Sequence, residues 1–377
     1  MNRNAGILAV VIGASVFAGL TVPGNSGAQD DAPKAPAATA TAKGSKGVDP
    51  AKVMGVRACL GCHGSETLAW MKSTHHNTHL LLRAPNAKKY AEELGIDPAK
   101  VRESASCIRC HATAQTDIHG AVRAATGVSC ESCHGASGGD DGWLNAHAVY
   151  GPNGTAFEQE SDEHQKWRLD RVRKAGMIRS GELYDMTVKC LECHLVQEPD
   201  LVNAGHKIGK SFELLGGTSG EVRHNFHEDQ QVNATGPSLW ARRTGGKANV
   251  LDRKKFAVGL LTEMELSLIA FSKQEEETDY SGGLVERAAG AWGFLAEVSE
   301  KLEDDFPEKL LEVVEMLEEV EDLDVEDADS RAQAAEWAKA IGKMAREYSA
   351  GDAEDLEIFD EVLSDLVEAS GKPFERK

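Results

Sequence analysis

The sequence predicts a mostly α-helical protein with extensive irregular loops, built in two parts, and three observations carry that prediction. After Asn249, apolar residues recur at helical spacing through five successive stretches. Before it, from about Pro50 to Gly246, the chain is rich in Gly and His, has few periodic runs and holds all eight cysteines. The charge divides at the same place: the formal net charge is −20, and residues 251–377 carry 35 acids against 14 bases while the rest is near neutral.

The N-terminus has the form of an export signal over residues 1–28. Arg3 supplies a positive start, an apolar run extends from Ala5 to Val22, and Ser26-Gly27-Ala28 offers a small-x-small cleavage site. The alternative is an uncleaved anchor, because about 18 apolar residues reach the lower limit of a membrane span. Pro23 and Gly24 favour cleavage, and either outcome places the rest of the chain in the periplasm or its equivalent, with membrane association only through this segment. Residues 29–49 are Ala, Pro, Lys, Thr and Gly with little to bury, the composition of a flexible linker.

Residues 50–248 form the first expected domain, with helices around Glu66–Ser73, Asn86–Leu94 and Ser161–Ala175. Residues 249–377 form the second, an acidic helical bundle without Cys or His. Its stripes begin with Phe256, Leu260, Met264, Leu268 and Phe271. They continue through Leu284–Leu302, Phe306–Val320, Ala334–Tyr348 and finally Leu356, Phe359, Val362, Leu363 and Leu366. Gly282-Gly283 and Gly351-Asp352 punctuate them. A basic stripe that would neutralise phosphates is missing, so nucleic acid is not an expected partner.

The chemistry lies in four segments: Cys59-Leu60-Gly61-Cys62-His63, Cys107-Ile108-Arg109-Cys110-His111, Cys130-Glu131-Ser132-Cys133-His134 and Cys190-Leu191-Glu192-Cys193-His194. Two thiols on one turn can add to the two vinyl groups along a porphyrin edge. The next residue then sets its imidazole under the iron. A single Cys-x-x-Cys pair is equally a disulfide or half a zinc site. Four pairs out of four followed by His, behind an export signal, point to covalent haem c at each, with Cys59, Cys62, Cys107, Cys110, Cys130, Cys133, Cys190 and Cys193 as attachment points and His63, His111, His134 and His194 on iron. Aromatic content of only 6% suits a core filled by porphyrin.

Nine further histidines remain, more than a soluble domain of this size ordinarily holds, and sixth iron ligands account for most of them. His164, among Asp162, Glu163, Gln165 and Lys166, is expected on a solvated helix face.

At these residues the sequence resembles the cytochrome c-554 family, tetrahaem proteins linked to hydroxylamine oxidation. The similarity spans about residues 55–230 and lies in Cys59 to His63 followed by Trp70 and His75, in Thr126–Gly135, in His147 and in Cys190–Leu195. The resemblance implies His75 as distal ligand of the fourth haem and His147 as that of the first. It implies a histidine downstream of the last motif for the third, either His206 or His224, and no distal protein ligand at the second. The extra histidines His76, His79, His119 and His227 depart from that pattern, as does the long acidic tail.

The reading that follows is a periplasmic electron carrier with four c-type haems, passing electrons to redox partner proteins. The alternative is a redox enzyme acting on hydroxylamine, nitric oxide or nitrite at a five-coordinate second haem. The acidic bundle either attracts a basic partner by its field or caps the haem domain. Pyridine haemochrome assay of the purified protein is expected to give four haems per chain, and haem stain should follow the polypeptide through a denaturing gel. Bound zinc with almost no haem would sink the reading.

Overall fold

The computed structural model describes residues 48–209, 214–219 and 250–363. The expected signal over 1–28, nearly all of the linker, and His224, His227 and Leu366 lie outside them. The described residues form one compact unit. The architecture is mostly α with irregular loops.

Helix α1 (Val56–Leu60) leads into α2 (Gly64–Trp70) and α3 (Thr74–Asn77). Helix α4 (Pro85–Glu93) opens on a proline, whose missing N–H costs nothing in a first turn. After α5 (Ala105–His111) comes an antiparallel hairpin of β1 (Thr113–Thr116) and β2 (Val122–Thr126). The Asp117 carboxylate closes its tip by accepting from the N–H groups of His119 and Ala121 at 2.9 and 3.0 Å. Then follow α6 (Cys130–His134), α7 (Leu144–His147), α8 (Asp162–Lys174), α9 (Leu183–His194), α10 (Pro199–Asn203) and α11 (Leu214–Ser219). The three helices expected from sequence here correspond to α2, α4 and α8, with ends displaced by a turn or less. Ser161 caps α8 by accepting from His164 N–H. The hairpin was not expected; strands of four and five residues are too short to declare a period.

The second half contains α12 (Val250–Phe271), α13 (Asp279–Leu302), α14 (Glu308–Met316) and α15 (Ala328–Ala350). The residues of α12 are buried around most of its circumference, which makes it the central helix of the bundle. Thr278 and Ser281 form a capping box on α13, and the Asp327 carboxylate caps α15. Trp292 is half-buried and donates its indole N–H to the Val314 carbonyl at 2.9 Å. The fifth apolar stripe folds as a 3-10 stretch over Glu354–Glu361 rather than an α-helix, while still burying Leu356 and Phe359.

One apolar core runs through the bundle and beyond it. Phe256, Leu261, Met264 and Leu268 of α12 and Leu284, Ala288 and Leu295 of α13 share it with Leu183, Leu191 and Leu195 of α9 and its C-terminal edge. Helix α9 carries the fourth cysteine motif, so the expected boundary at 248/249 crosses a continuous core. Each fully buried leucine there contributes about 1.5–3 kcal/mol. Among the described residues no helix is long and apolar enough to cross a membrane.

Ending the chain at Asn249 removes the apolar cover of Leu183, Leu191 and Leu195. The truncated protein is expected to bind a hydrophobic dye and to melt well below the full chain. Equal melting temperatures by circular dichroism would show that the bundle contributes nothing to the stability of α9.

Candidate functional site

All eight cysteines, with His63, His75, His111, His134, His147, His194 and His206, line one cavity of about 3160 Å³. An ordinary ligand pocket measures roughly 300–1,000 Å³, so this space suits several large groups rather than one small one.

The motifs are strung through it in an order different from that of the sequence. Helix α1 packs on α6, joining the first motif to the third. Helix α6 packs on α9, joining the third to the fourth. Cys110 Sγ lies 3.8 Å from the Glu192 carbonyl and Cys193 Sγ 3.8 Å from the Arg109 carbonyl, joining the fourth to the second. The path through space is therefore first, third, fourth, second.

Three pairs of imidazoles face each other. The rings of His63 and His147 are 5.9 Å apart and stacked, those of His75 and His194 are 6.1 Å apart and edge-on, and those of His111 and His206 are 6.2 Å apart and edge-on. A metal bound by one nitrogen of each ring at about 2 Å sets the two ring centres about 6 Å apart, so all three gaps fit an iron between them. The first two pairs bring together the histidines for which the family resemblance implied a shared haem.

His206 lies opposite the second motif. It was expected, as an alternative to His224, to serve the third motif, and the second motif was expected to have no facing histidine. Instead the turn after α10 carries His206 to His111. The Gly205 carbonyl accepts from Tyr90 Oη at 3.1 Å, and the Tyr90 ring packs edge-on against His206 at 5.3 Å. Tyr90 stands on α4, beside α5 and the second motif, and nothing in the spacing of histidines reveals that anchor.

Backbone partners prepare several rings for metal. His134 Nδ1 donates to the Ile178 carbonyl at 2.8 Å, and His206 Nδ1 donates to the Lys207 carbonyl at 2.7 Å. Each bond leaves Nε2 as the lone-pair nitrogen. Burial, and then the neighbouring His63, push His147 down to about 4; burial and then His75 do the same to His194, while burial with His206 nearby lowers His111. At neutral pH these rings are uncharged, the form that ligates iron. The donor set, the gaps and the cavity all fit haem c.

Positioning residues were less visible in the sequence. Glu131, 1% exposed within the third motif, accepts from Met54 N–H, Gly55 N–H, Ser137 N–H and Ser137 Oγ at 2.7–3.0 Å. It ties the entry of α1 to α6 and so holds the first and third motifs together. The only sequence signal was its place between the two cysteines. Arg168 grips Glu160 with two bonds of 2.7 Å and donates to the His147 carbonyl. His164, expected in solvent, is half-buried and bonds the same Glu160 at 2.9 Å. His76 packs edge-on against Trp70, and His119 is exposed at the hairpin tip.

Glycines bring the backbones close enough. A Cβ on Gly127 would stand 2.1 Å from the His75 carbonyl oxygen and 2.4 Å from that of His76. A Cβ on Gly209 would stand 2.0 Å from the His194 carbonyl oxygen, on a backbone already at φ +135.

Residues 58–135 match the family model described as cytochrome c554 and c-prime. No curated protein and no solved structure matches the chain. The family match supports covalently bound haem and haem-based electron transfer for this segment.

Gly127→Ala is expected to push residues 75–76 away and to destabilise the fold by about 1–3 kcal/mol. The displaced His75 should convert about one quarter of the low-spin haem signal to high spin in magnetic resonance. An unchanged low-spin spectrum would show that the loop absorbs the methyl without moving the ring.

Proposed function

We propose that this chain, in which residues 58–135 carry the cytochrome c554 and c-prime family pattern, is an exported electron carrier holding four c-type haems in one relay. The observation that carries the reading is the set of three imidazole pairs facing across gaps of 5.9–6.2 Å in a cavity lined by every cysteine. Bound haem supplies the one-electron iron couple; the chain supplies attachment, two-sided ligation and closeness. His63 with His147, His111 with His206 and His194 with His75 are the ligand pairs. His134 takes the third haem; His224, the other histidine that the resemblance offered for it, lies outside the described residues.

Two-sided histidine ligation keeps small molecules off the iron and sets low potentials compared with a His/Met set. The contacts between motifs make the order first, third, fourth, second the route of the electron. Partners are redox proteins, and the net negative charge of residues 251–377 favours encounter with basic ones in a salt-dependent way. The alternative, an enzyme acting on hydroxylamine, nitric oxide or nitrite at the second haem, requires an iron face that His206 covers.

The oxidised protein is expected to be low-spin at the second haem and indifferent to cyanide there. His206→Ala should produce a high-spin signal from about one haem in four that cyanide then abolishes. A wild type already showing that signal would favour the enzyme.

A further inference from the structure

The acidic bundle holds a buried ion pair beside the chain that follows the fourth motif. Arg287 on α13 is 6% exposed and meets Glu263 of α12, itself 4% exposed in its side chain, at 2.6 Å. Nη2 of Arg287 is held by the Glu263 carboxylate, while Nε and Nη1 are buried without a hydrogen-bond partner. A guanidinium satisfied by one ion pair, in a poorly polarisable interior, projects its field over several ångströms.

The helix is pressed against the chain that follows the fourth motif. A Cβ on Gly283, one turn before Arg287, would stand 3.0 Å from Ile208 Cδ1. The Ile208 carbonyl accepts from Val196 N–H at 2.6 Å, and the Asn203 side chain accepts from Tyr280 N–H at 3.2 Å. Leu284 and Ala288, flanking Arg287, share the core with Leu195 and Val196, adjacent to His194. Gly209, next to Ile208, lies against the His194 carbonyl, so the chain that α13 presses on is the chain that packs on that histidine.

We propose that Arg287 is an electrostatic tuning residue for the fourth haem, raising its reduction potential, with Glu263 as the opposing charge that limits the rise. The inference rests on the reading of Cys190, Cys193, His194 and His75 as that haem's attachment and ligands. On reduction, one electron from the reductant enters the iron and no bond or proton changes hands. The site becomes more negative by one charge, which a nearby cation favours and a nearby carboxylate opposes. The bundle is then part of the redox apparatus as well as its cap.

The test is a spectroscopic redox titration of the holoprotein with dithionite and ferricyanide as the titrants. The fourth haem is identified as the component displaced by His75→Met. Arg287→Met should lower its midpoint, Glu263→Gln should raise it, and Arg287→Lys, which keeps the charge, should leave it near the wild-type value. Circular dichroism checks that α12 and α13 remain folded; should Arg287→Met fail to fold, Glu263→Gln and Arg287→Lys still decide the sign. Shifts of the same sign in Arg287→Met and Glu263→Gln, or no shift in a folded Glu263→Gln variant, would overturn the proposal and leave the pair a structural element of the bundle. A wild type whose haems do not titrate reversibly would overturn the electron-carrier reading itself, and this inference with it.

Discussion

Two imidazoles that share an iron must face each other across about 6 Å, and the backbones carrying them must come together from distant parts of the chain. On the proposed reading, that constraint organises the cysteine-bearing half. His75 belongs to α3 and His194 to the end of α9, and their meeting depends on Gly127 lying directly against the His75–His76 carbonyls and on Gly209 lying against that of His194. His147 reaches His63 because Trp143 donates to the Gly135 carbonyl and packs edge-on against the His147 ring, while Arg168 bonds its carbonyl from α8. Regular structure is sparse here for a physical reason: short helices and turns deliver rings, and the proposed haems would replace much of the ordinary apolar core.

Helix α9 connects this arrangement to the other half. Its cavity side brings Cys190, Cys193 and His194, and its other side buries Leu183, Leu191 and Leu195 in the core of the bundle. The two halves are thus joined through the element nearest to one of the proposed haems. Tyr184 adds a polar tie, donating to Glu265 at 2.9 Å while the Arg346 guanidinium lies over its ring and pairs with the same carboxylate. On the proposed reading such a junction does more than support, because a rigid neighbour fixes the dielectric around His194.

The exterior of the bundle has a different character from its junction. The acids that give residues 251–377 their charge lie mainly on exposed faces, as with Glu318, Glu319, Glu321 and Asp322. Glu263 and Glu265 are exceptions, buried and matched to Arg287 and Arg346. A bulk charge count cannot separate the two populations. Solvated acids act over distance and are screened by salt, whereas buried ones act on their neighbours and are not.

What the sequence determined by itself is the chemistry that depends on neighbours along the chain. Cysteine spacing, the following histidine and apolar periodicity are local, so the four motifs, helices α2, α4 and α8 and the stripes of the bundle were legible. The resemblance extended this to two ring pairs, those of His147 and His75. The tertiary structure alone decided which motif His206 faces, because that depends on Tyr90 holding the Gly205 carbonyl across 115 residues of sequence separation. It also decided that Glu131 clamps two motifs, that His164 turns inward to Glu160 and that the bundle shares its core with α9. Each of these is a contact between side chains or backbones far apart in sequence. Their partners are selected by the path of the chain through its turns, which no spacing of residue types records.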